Sequence, residues 1–598
     1  MELIRSNRTE KLAAALASRV CEKPLGPFAR EVIVVQSRGM ARWLTLALAE
    51  KLGSWSNPAF PFPRAVIEQV LTRIEEGRAE HAKAYEPAQL KWTIAGLLRE
   101  SAPVELEAYL GVPSNPDRVL RLASSASVVF DRYVLYRPTL LRQWSNGAGG
   151  DWQAELWRRV VQRLGPHDLA SRIRDALETL RSTKVVAELP FERLHLFSLE
   201  TLPPLFLELF SALSQSVETT FYVLEPSSEY VSDVDPTLGD LISPDAAPSD
   251  GHPLLSSLGR LARDFQQVLL SADRAVQYEA DLFEAPKRDN LLGALQADIL
   301  EFRSAPKNSE RRIIDPADDS ISIHACTGPM REVQALHEWV QSALESDRSL
   351  QPEDVVVMTP DLDTYAPAFR AVFGQDDLHR IPYEVHDRST RDDAAFYDDF
   401  QTILELLDSR FSVLDFVRIL DAGALRATFL FTQEERARLA ELLAASGIRW
   451  GIDAAHREAL EFPADPLHTW RAGLGRLFLG FASTPDDTSP FEGLLPRGAP
   501  SLSDAELLAR LSRLSEVLFD FHRRSREPLS IEDWARELEH FSALLFAEDD
   551  ESSSAMRTLR EAIADLRDVA TRTGYDCPIA LKTLRRELGA ILQEKAPA

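Results

Sequence analysis

The dipeptide Gly-Lys occurs nowhere in the 598 residues. The chain therefore carries no phosphate loop of the form GxxxxGK followed by Ser or Thr, in which backbone N–H groups wrap the phosphates and the lysine and hydroxyl hold the terminal phosphate and magnesium. Cysteine is scarce as well. Cys21, Cys326 and Cys577 lie far apart, which suits a reducing cytoplasm and leaves no disulfide framework or obvious zinc site. The 12 histidines are scattered without an HExxH pattern, and neither a GxSxG elbow nor a Cys–His motif is present. No apolar run approaches the roughly 20 residues of a membrane-spanning helix, and the start MELIRSNRTE lacks the basic-then-apolar layout of a signal peptide. Positive charge is outweighed, with 67 Lys and Arg against 93 Asp and Glu, a formal net charge of −26. That balance argues against a protein that simply coats nucleic acid, although it leaves room for a locally basic channel in an acidic body. No internal repeat of solenoid period is visible.

What is present is a globular composition, 45% apolar and 27% charged, in a chain too long for one core. At its start a strand-like run twice meets a turn and an amphipathic helix. Glu2–Ser6 reads as a strand and Thr9–Val20 as a helix. Val32–Val35 reads as a second strand, followed by Gln36, Ser37, Arg38 and Gly39. Met40, Trp43, Leu44, Ala47, Leu48 and Leu52 then share one face of a helix that Gly53 ends. Two strands with a helix between them form a βαβ unit of parallel, buried strands, whose ligands sit at the carboxyl ends. Ser6–Arg8 and Gln36–Arg38 are therefore the first places to look for function.

Along the chain, residues 1–64 and 190–303 read as one α/β core split by a helical insertion, 65–189. The proline-punctuated link from Asn57 to Arg64 can be neither helix nor central strand. Strand character returns at Leu194–Leu199 and Thr219–Leu224, with a helix at Pro204–Leu213 between them. Ser227–Pro253 is a long polar loop. Helices are expected at Leu254–Ala272 and Leu291–Phe302, then a linker at 304–319. A second α/β core, 320–391, places strands at Ile321–Cys326, Val355–Thr359 and Ile381–Val385 and helices at Arg331–Glu345 and Tyr365–Phe373. Residues 392–598 read as helical. The second sheet is expected to be incomplete, the chain ending within this second helical insertion.

Two tandem RecA-like parallel-sheet cores, each with a large helical insertion, make up the layout of a superfamily 1 helicase motor, here in degenerate form. The place for the phosphate loop is the first strand-to-helix turn, and Ser6-Asn7-Arg8 is too short to cradle a triphosphate. Asn7 and Glu10 fit a helix-capping box that would occupy the N–H groups a phosphate needs. The magnesium-binding Asp–Glu pair of such a motor is reduced to Glu200 after the strand at Leu194–Leu199, and a single carboxylate there is ordinarily a surface or capping residue. The chain is expected not to hydrolyse ATP and to hold no cofactor. Asp361 with Asp363, Asp392 with Asp393, and Asp398 with Asp399 fall where Asp is common in turns and helix starts, so a metal site is the weaker reading. Glu548–Glu551 reads as a solvated loop.

Two stretches suit binding. Arg38 and Arg42, one helical turn apart beside a helix N-terminus, can hold a phosphate while Gln36 reads a base edge; the plain alternative is a surface arginine pair beside a capping Ser37. In Val128–Trp144, Arg132, Arg137 and Arg142 interleave with Phe130, Tyr133, Tyr136 and Trp144, a mixture that suits single-stranded nucleic acid. At helical spacing those aromatics equally suit a core. Phe60-Pro61-Phe62-Pro63 is a rigid apolar wedge or a buried connector.

The chain resembles the RecC family, the gamma subunits of bacterial exodeoxyribonuclease V (the RecBCD complex). The likeness is carried by SNR (Ser6–Arg8), VQSRGMARWL (Val35–Leu44), VFDRYVLYRP (Val129–Pro138), WQAELW (Trp152–Trp157) and LPP (Leu202–Pro204). It continues through HPLLSSLGRLARD (His252–Asp264), DNLLGALQADIL (Asp289–Leu300), PMREVQALH (Pro329–His337) and VVVMTPDLDTYAP (Val355–Pro367). DSRF (Asp408–Phe411), SGIRWGID (Ser446–Asp453) and HTWRAGLGRLFLG (His468–Gly480) extend it over nearly the whole chain. The resemblance implies a helicase-derived fold that no longer binds ATP. It implies RecB-like and RecD-like partners that use ATP and magnesium, a duplex DNA end that is split, and a 3′-ended single strand threaded through a tunnel that scans for the hotspot Chi. Family chains continue further, so the present one is expected to be the N-terminal part. The family positions implicated in reading the strand fall on Gln36, Asp131 and Arg137 by identity. Arg38 and Arg42 stand where the family example has Thr and Gln, Phe62 replaces a Leu, Val128 an Asp and Glu68 a Trp; these departures leave strand binding in place but imply a recognised sequence that either differs from the familiar hotspot or is absent. Against a non-catalytic DNA guide stand two alternatives: an assembly scaffold without DNA contact, and an AddB-like helicase–nuclease subunit, which needs a phosphate loop and iron–sulfur cysteines.

Overall fold

Six parallel strands form one sheet in the computed structural model of the chain, in the order β3-β2-β4-β5-β1-β6. The structure describes residues 1–598 except 27, 56–57, 76–82, 183–188, 190, 230–251, 272–276, 304–312, 314, 375–380, 386–390, 430, 485–488, 498–500, 547–552 and 596–598. Most of the expected polar loop, more than half of the linker and the Glu548–Glu551 loop lie outside the described residues.

The strands are β1 (Glu2–Ser6), β2 (Glu31–Val34), β3 (Pro58–Ala59), β4 (Arg193–Phe197), β5 (Glu218–Leu224) and β6 (Gln277–Asp281). β1 pairs with β5 from Glu2 opposite Thr220 to Ser6 opposite Leu224, and on its other edge with β6. β2 lies against β4 with Val32 opposite Leu194. Buried strands need apolar residues on both faces, and β2 and β4 are buried at every position.

Helices α1 (Thr9–Glu22) and α2 (Arg38–Leu52) supply one layer of the core. Leu12, Leu16, Leu44 and Leu48 pack there with Ile4, Ile33, Val35, Phe197 and Tyr222. Gly53, at φ +72°, ends α2 in a conformation that glycine adopts without strain. After α3 (Pro63–Ile74), α4 (Pro116–Tyr136), α5 (Pro138–Ser145), α6 (Trp152–Leu164) and α7 (Leu169–Ser182) comes α8 (Pro204–Leu213), which packs against α3 and α7. α8 buries Leu205, Phe206, Leu207, Leu209, Phe210 and Leu213. A helix apolar all round is one covered on every side.

Two elements were not legible in the sequence. β6 (QYEAD) is a half-polar edge strand without an apolar run, and β3 is a two-residue edge strand inside the proline-rich link. The helix expected at Leu254–Ala272 is interrupted at Gly259 into Pro253–Leu258 and Arg260–Ser271.

The second core departs from expectation. Its helices are present at Pro329–Ser346 and Leu362–Phe373, packed through Val333, Val340, Ala368 and Phe373 with Ile381. Residues 321–326, 355–359 and 381–385 form no ladder among the described residues. Ile323, Val356 and Met358 are 94, 74 and 89% exposed. An apolar run states what a segment can bury, whereas a strand also needs a neighbour for its backbone N–H and C=O groups.

The chain divides into two compact units, Met1–Tyr85 with Val129–Val385, and Glu86–Val128 with His386–Ala598. The second is helical apart from isolated bridges. In it Trp92 meets Tyr575 edge-on at 5.0 Å, and Lys91 pairs with Glu587 at 2.5 Å. This buries the helix Pro87–Glu100 against helices some 480 residues later in the chain.

Candidate nucleic-acid interface

Because every strand runs the same way, the turns after β1, β2, β3, β4 and β6 gather on one edge of the sheet. The turn after β1 is closed by the chain itself. Ser6 Oγ donates to the Leu282 carbonyl at 2.8 Å and accepts from Arg8 N at 3.0 Å. The Asn7 carboxamide donates to the Glu284 carbonyl and accepts from Glu284 N, both at 2.9 Å, and the Glu284 carboxylate reaches Lys11 at 3.3 Å. The capping box expected of Asn7 and Glu10 is therefore not formed. The residue that caps α1 is Arg8, without a side-chain cap, because Asn7 spends its carboxamide on the segment after β6. Residues 282–284 thus lie against the turn after β1, beside the N-terminus of α1.

After β2, Val35 N donates to the Pro61 carbonyl at 3.2 Å, which lays Phe62 alongside Gln36. The Gln36 side-chain oxygen accepts from Glu200 N at 2.9 Å and ties the end of β2 to the turn after β4. That turn begins at Ser198, which stands at φ +48°, a conformation uncommon for a residue with a side chain. The amide nitrogen of Gln36 is thus the group left to donate outward. Ser37 accepts from Met40 N at 3.1 Å and starts α2, whose first turn presents Arg38 and Arg42. Both arginines are exposed, and Arg42 pairs with Glu384 at 2.6 Å.

Phe62, 43% exposed, precedes α3 and lends its carbonyl to Ala65 N and Val66 N. Arg64 in the first turn of α3 reaches Asp131 on α4 at 3.1 Å. Gln36, Phe62 and Asp131 are therefore joined through residues 61–64. Arg137 lies past the end of α4, where it precedes α5 and donates its backbone N–H to the Tyr133 carbonyl at 2.8 Å. Its side chain is exposed, and no hydrogen bond or ion pair links it to the cluster among the described residues.

The aromatics of Val128–Trp144 divide. Phe130 meets Trp157 edge-on at 5.3 Å, Trp144 meets Tyr133 at 5.8 Å, and the Tyr133 hydroxyl donates to Gln153 at 3.3 Å. These three are internal packing. Tyr136, 59% exposed, remains at the surface beside Arg137, and Arg132 and Arg142 are exposed as well. Glu68 serves α3 rather than the edge. With Glu75 it holds the buried Arg172 of α7, at 2.8 and 2.9 Å.

The amino ends of β2 and β4 are fixed by a buried group of charges. Glu31 pairs with Arg193, which also donates to the Lys23 carbonyl at 2.9 Å, and His195 Nε2 lies 3.4 Å from Glu31. Burial alone would raise the Glu31 carboxyl; hydrogen bonds from His195 and Arg193 and the Arg193 charge outweigh it and leave the group below its ordinary value. Burial likewise holds His195 below its ordinary value and favours the neutral ring.

Asp361 caps the helix Leu362–Phe373, accepting from Thr364 N at 3.1 Å, and Asp398 is exposed. The side chains of Asp363, Asp392 and Asp393 lie outside the described residues. Among the described residues no group of three or more His, Cys, Asp or Glu is placed to hold a metal ion, and no helix is long and apolar enough to cross a membrane. Reading the sequence overlooked Arg64 and Glu384. Their partners lie 67 and 342 residues away, and no local pattern encodes such a pairing.

Residues 1–302 match the model of the family described as "RecC, N-terminal domain", and residues 395–596 that described as "RecBCD enzyme subunit RecC fourth domain". The chain is 31% identical to the RecBCD enzyme subunit RecC of Escherichia coli (strain K12), covering 100% of this chain and 58% of that protein. It is 26% identical to the subunit of the same name in Haemophilus influenzae, covering 94% and 56%. To that of Mycobacterium tuberculosis (strain CDC 1551 / Oshkosh) it is 30% identical, covering 87% and 49%. The chain spans about half the length of the curated relatives it matches.

Proposed function

This chain belongs to the RecC family, and on that footing we propose that it is a non-catalytic, DNA-guiding part of a RecBCD-type helicase–nuclease acting in double-strand break repair by homologous recombination. It scaffolds RecB-like and RecD-like subunits in the cytoplasm, helps to split the duplex end and channels the 3′-ended strand; ATP and magnesium are used by those partners. The observation that carries the reading is the contrast between two strand ends on the same edge of the sheet. The turn after β1 is filled by Leu282–Glu284, while the turns after β2 and β3 present Gln36, Arg38, Arg42 and Phe62 at the surface.

A single strand needs cations for its phosphates and flat or donor groups for its bases. Arg38 and Arg42 at the start of α2 supply the first, while Phe62, the outward amide of Gln36 and, further along, Tyr136 with Arg137 supply the second. Asp131 fixes Arg64 at the start of α3 and so positions Phe62. With two arginines at the start of α2, the edge favours phosphate or guanine contacts, and any hotspot that it reads differs from the family's.

A second reading, assembly without DNA contact, is favoured by the Arg42–Glu384 pair, since that arginine already has a carboxylate. Reconstituting the full-length protein with its RecB-like and RecD-like partners separates the two. Photo-crosslinking of a 3′-tailed duplex carrying 4-thiothymidine should label residues 36–64, and changing Arg38, Arg42 or Arg137 to Gln should lower the yield. Absence of labelling within residues 36–64 of the assembled protein, with crosslinks elsewhere in the complex unaltered in all three variants, would establish the scaffold reading. Omitting the subunit should abolish ATP-dependent degradation, and ATP hydrolysis by the isolated full-length protein would overturn the non-catalytic assignment.

A further inference from the structure

Glu384 is a carboxylate on a cation of the β2 strand end, and it arrives from a segment 342 residues away in sequence. Its backbone is not loosely held. Ile381 is buried with Val333, Val340, Ala368 and Phe373, and the Tyr383 ring lies 5.8 Å from that of Phe373. The two side chains that meet are nevertheless open to water, 59% for Arg42 and 58% for Glu384. An exposed ion pair contributes little to stability, and its carboxylate and a phosphate oxygen are equivalent acceptors for a guanidinium. The pair can therefore open by side-chain rotation alone and exchange one anion for another.

We propose that Glu384 is an intramolecular competitor for the nucleic-acid strand at Arg42. When no strand is present the carboxylate neutralises the arginine. A phosphate that arrives must displace it, and the displaced carboxylate stays nearby as a repelling charge. The edge thereby holds a passing strand weakly, which suits a surface along which DNA slides rather than one on which it rests. The inference rests on the strand-binding reading of this edge.

The test uses the full-length protein assembled with its partners, the 4-thiothymidine 3′-tailed duplex, and four forms: wild type, Glu384→Gln, Arg42→Gln and the double variant. Local crosslinking to residues 36–64 is measured without ATP across a range of salt concentrations. Glu384→Gln should raise the yield about two- to five-fold, the range that an exposed ion pair represents. It should also steepen the salt dependence by up to about one phosphate contact. In the Arg42→Gln background the gain should vanish. If Arg42→Gln lowers the yield while Glu384→Gln leaves it unchanged or lowers it, the strand site stands and the competitor role is overturned. A gain from Glu384→Gln that persists without Arg42 also overturns it. If no variant changes the yield, the strand-binding reading fails and the inference falls with it.

Discussion

Asn7 and Glu284 pair reciprocally across 277 residues, side-chain amide to backbone amide, with both hydrogen bonds at 2.9 Å. This closes the turn after β1 with the chain's own backbone. Asn7→Ala should remove both bonds at a partly exposed position, a loss of about 1 kcal/mol. Amide exchange at Glu284 should accelerate roughly five-fold as a result. No ATP binding is expected of either form in equilibrium titration, because Ser6 holds Leu282 in place in both.

Gln36 is exposed and binds Glu200 N through its side-chain oxygen, which leaves its amide nitrogen as the group that can donate to a strand. Gln36→Glu keeps the acceptor and removes the donor. Stability should change by less than about 0.5 kcal/mol, while strand crosslinking falls several-fold because a carboxylate now faces the phosphates. Gln36→Leu should lower both thermal stability and crosslinking.

Arg172 is buried between Glu68 and Glu75. Arg172→Met would leave the mostly buried Glu75 without its partner, at a cost of about 3 kcal/mol. Hydrogen exchange in α3 should then accelerate roughly a hundredfold. Glu68→Gln, at a position 37% exposed, should cost no more than about 1 kcal/mol.

His456 accepts a hydrogen bond from Ile452 N at 3.2 Å and meets His522 edge-on, ring centres 4.9 Å apart. Burial, reinforced by the neighbouring His522, lowers its pKa to about 4. The sign follows from linkage. Above pH 6.5 the ring is neutral in both folded and unfolded states. Below it the unfolded chain takes up a proton that the folded protein refuses, so stability falls until about pH 4. The loss in the helical unit should approach about 3 kcal/mol. His456→Asn, which keeps an acceptor for Ile452 N, should flatten the dependence of the unfolding midpoint between pH 7 and 4.

What the sequence made legible follows from how far each signal reaches. β1, α1, β2, α2 and α8 were readable because a buried parallel strand carries a core of apolar residues and a core helix must repeat near 3.6 residues. β6 was not, since an edge strand needs only half its surface covered and QYEAD carries no such signature. The capping box was misread for a related reason: Asn7 suits a cap, yet its better partner lies in another strand's turn. At the candidate interface the residue types of Gln36, Arg38 and Arg42 were visible. The contacts that give them their roles, with Glu200, Glu384 and Pro61, come from folding the chain back on itself.

The sheet order also bears on how the molecule is made. β1 is flanked by β5 and β6, so Glu2 waits for Thr220 on one edge and for Gln277 on the other, the second about 275 residues later. At about 5–20 residues per second a ribosome emits β6 roughly 15–55 s after β1. Until β5 is made, Leu3 and Ile4, both buried in the finished protein, have no strand on either side, and until β6 is made one edge of β1 stays open. Such distant pairing slows folding and exposes an unpaired edge to other chains. β1 thus keeps an open edge until β6 is made, and truncations that remove β6 should collect as aggregates rather than as shortened domains.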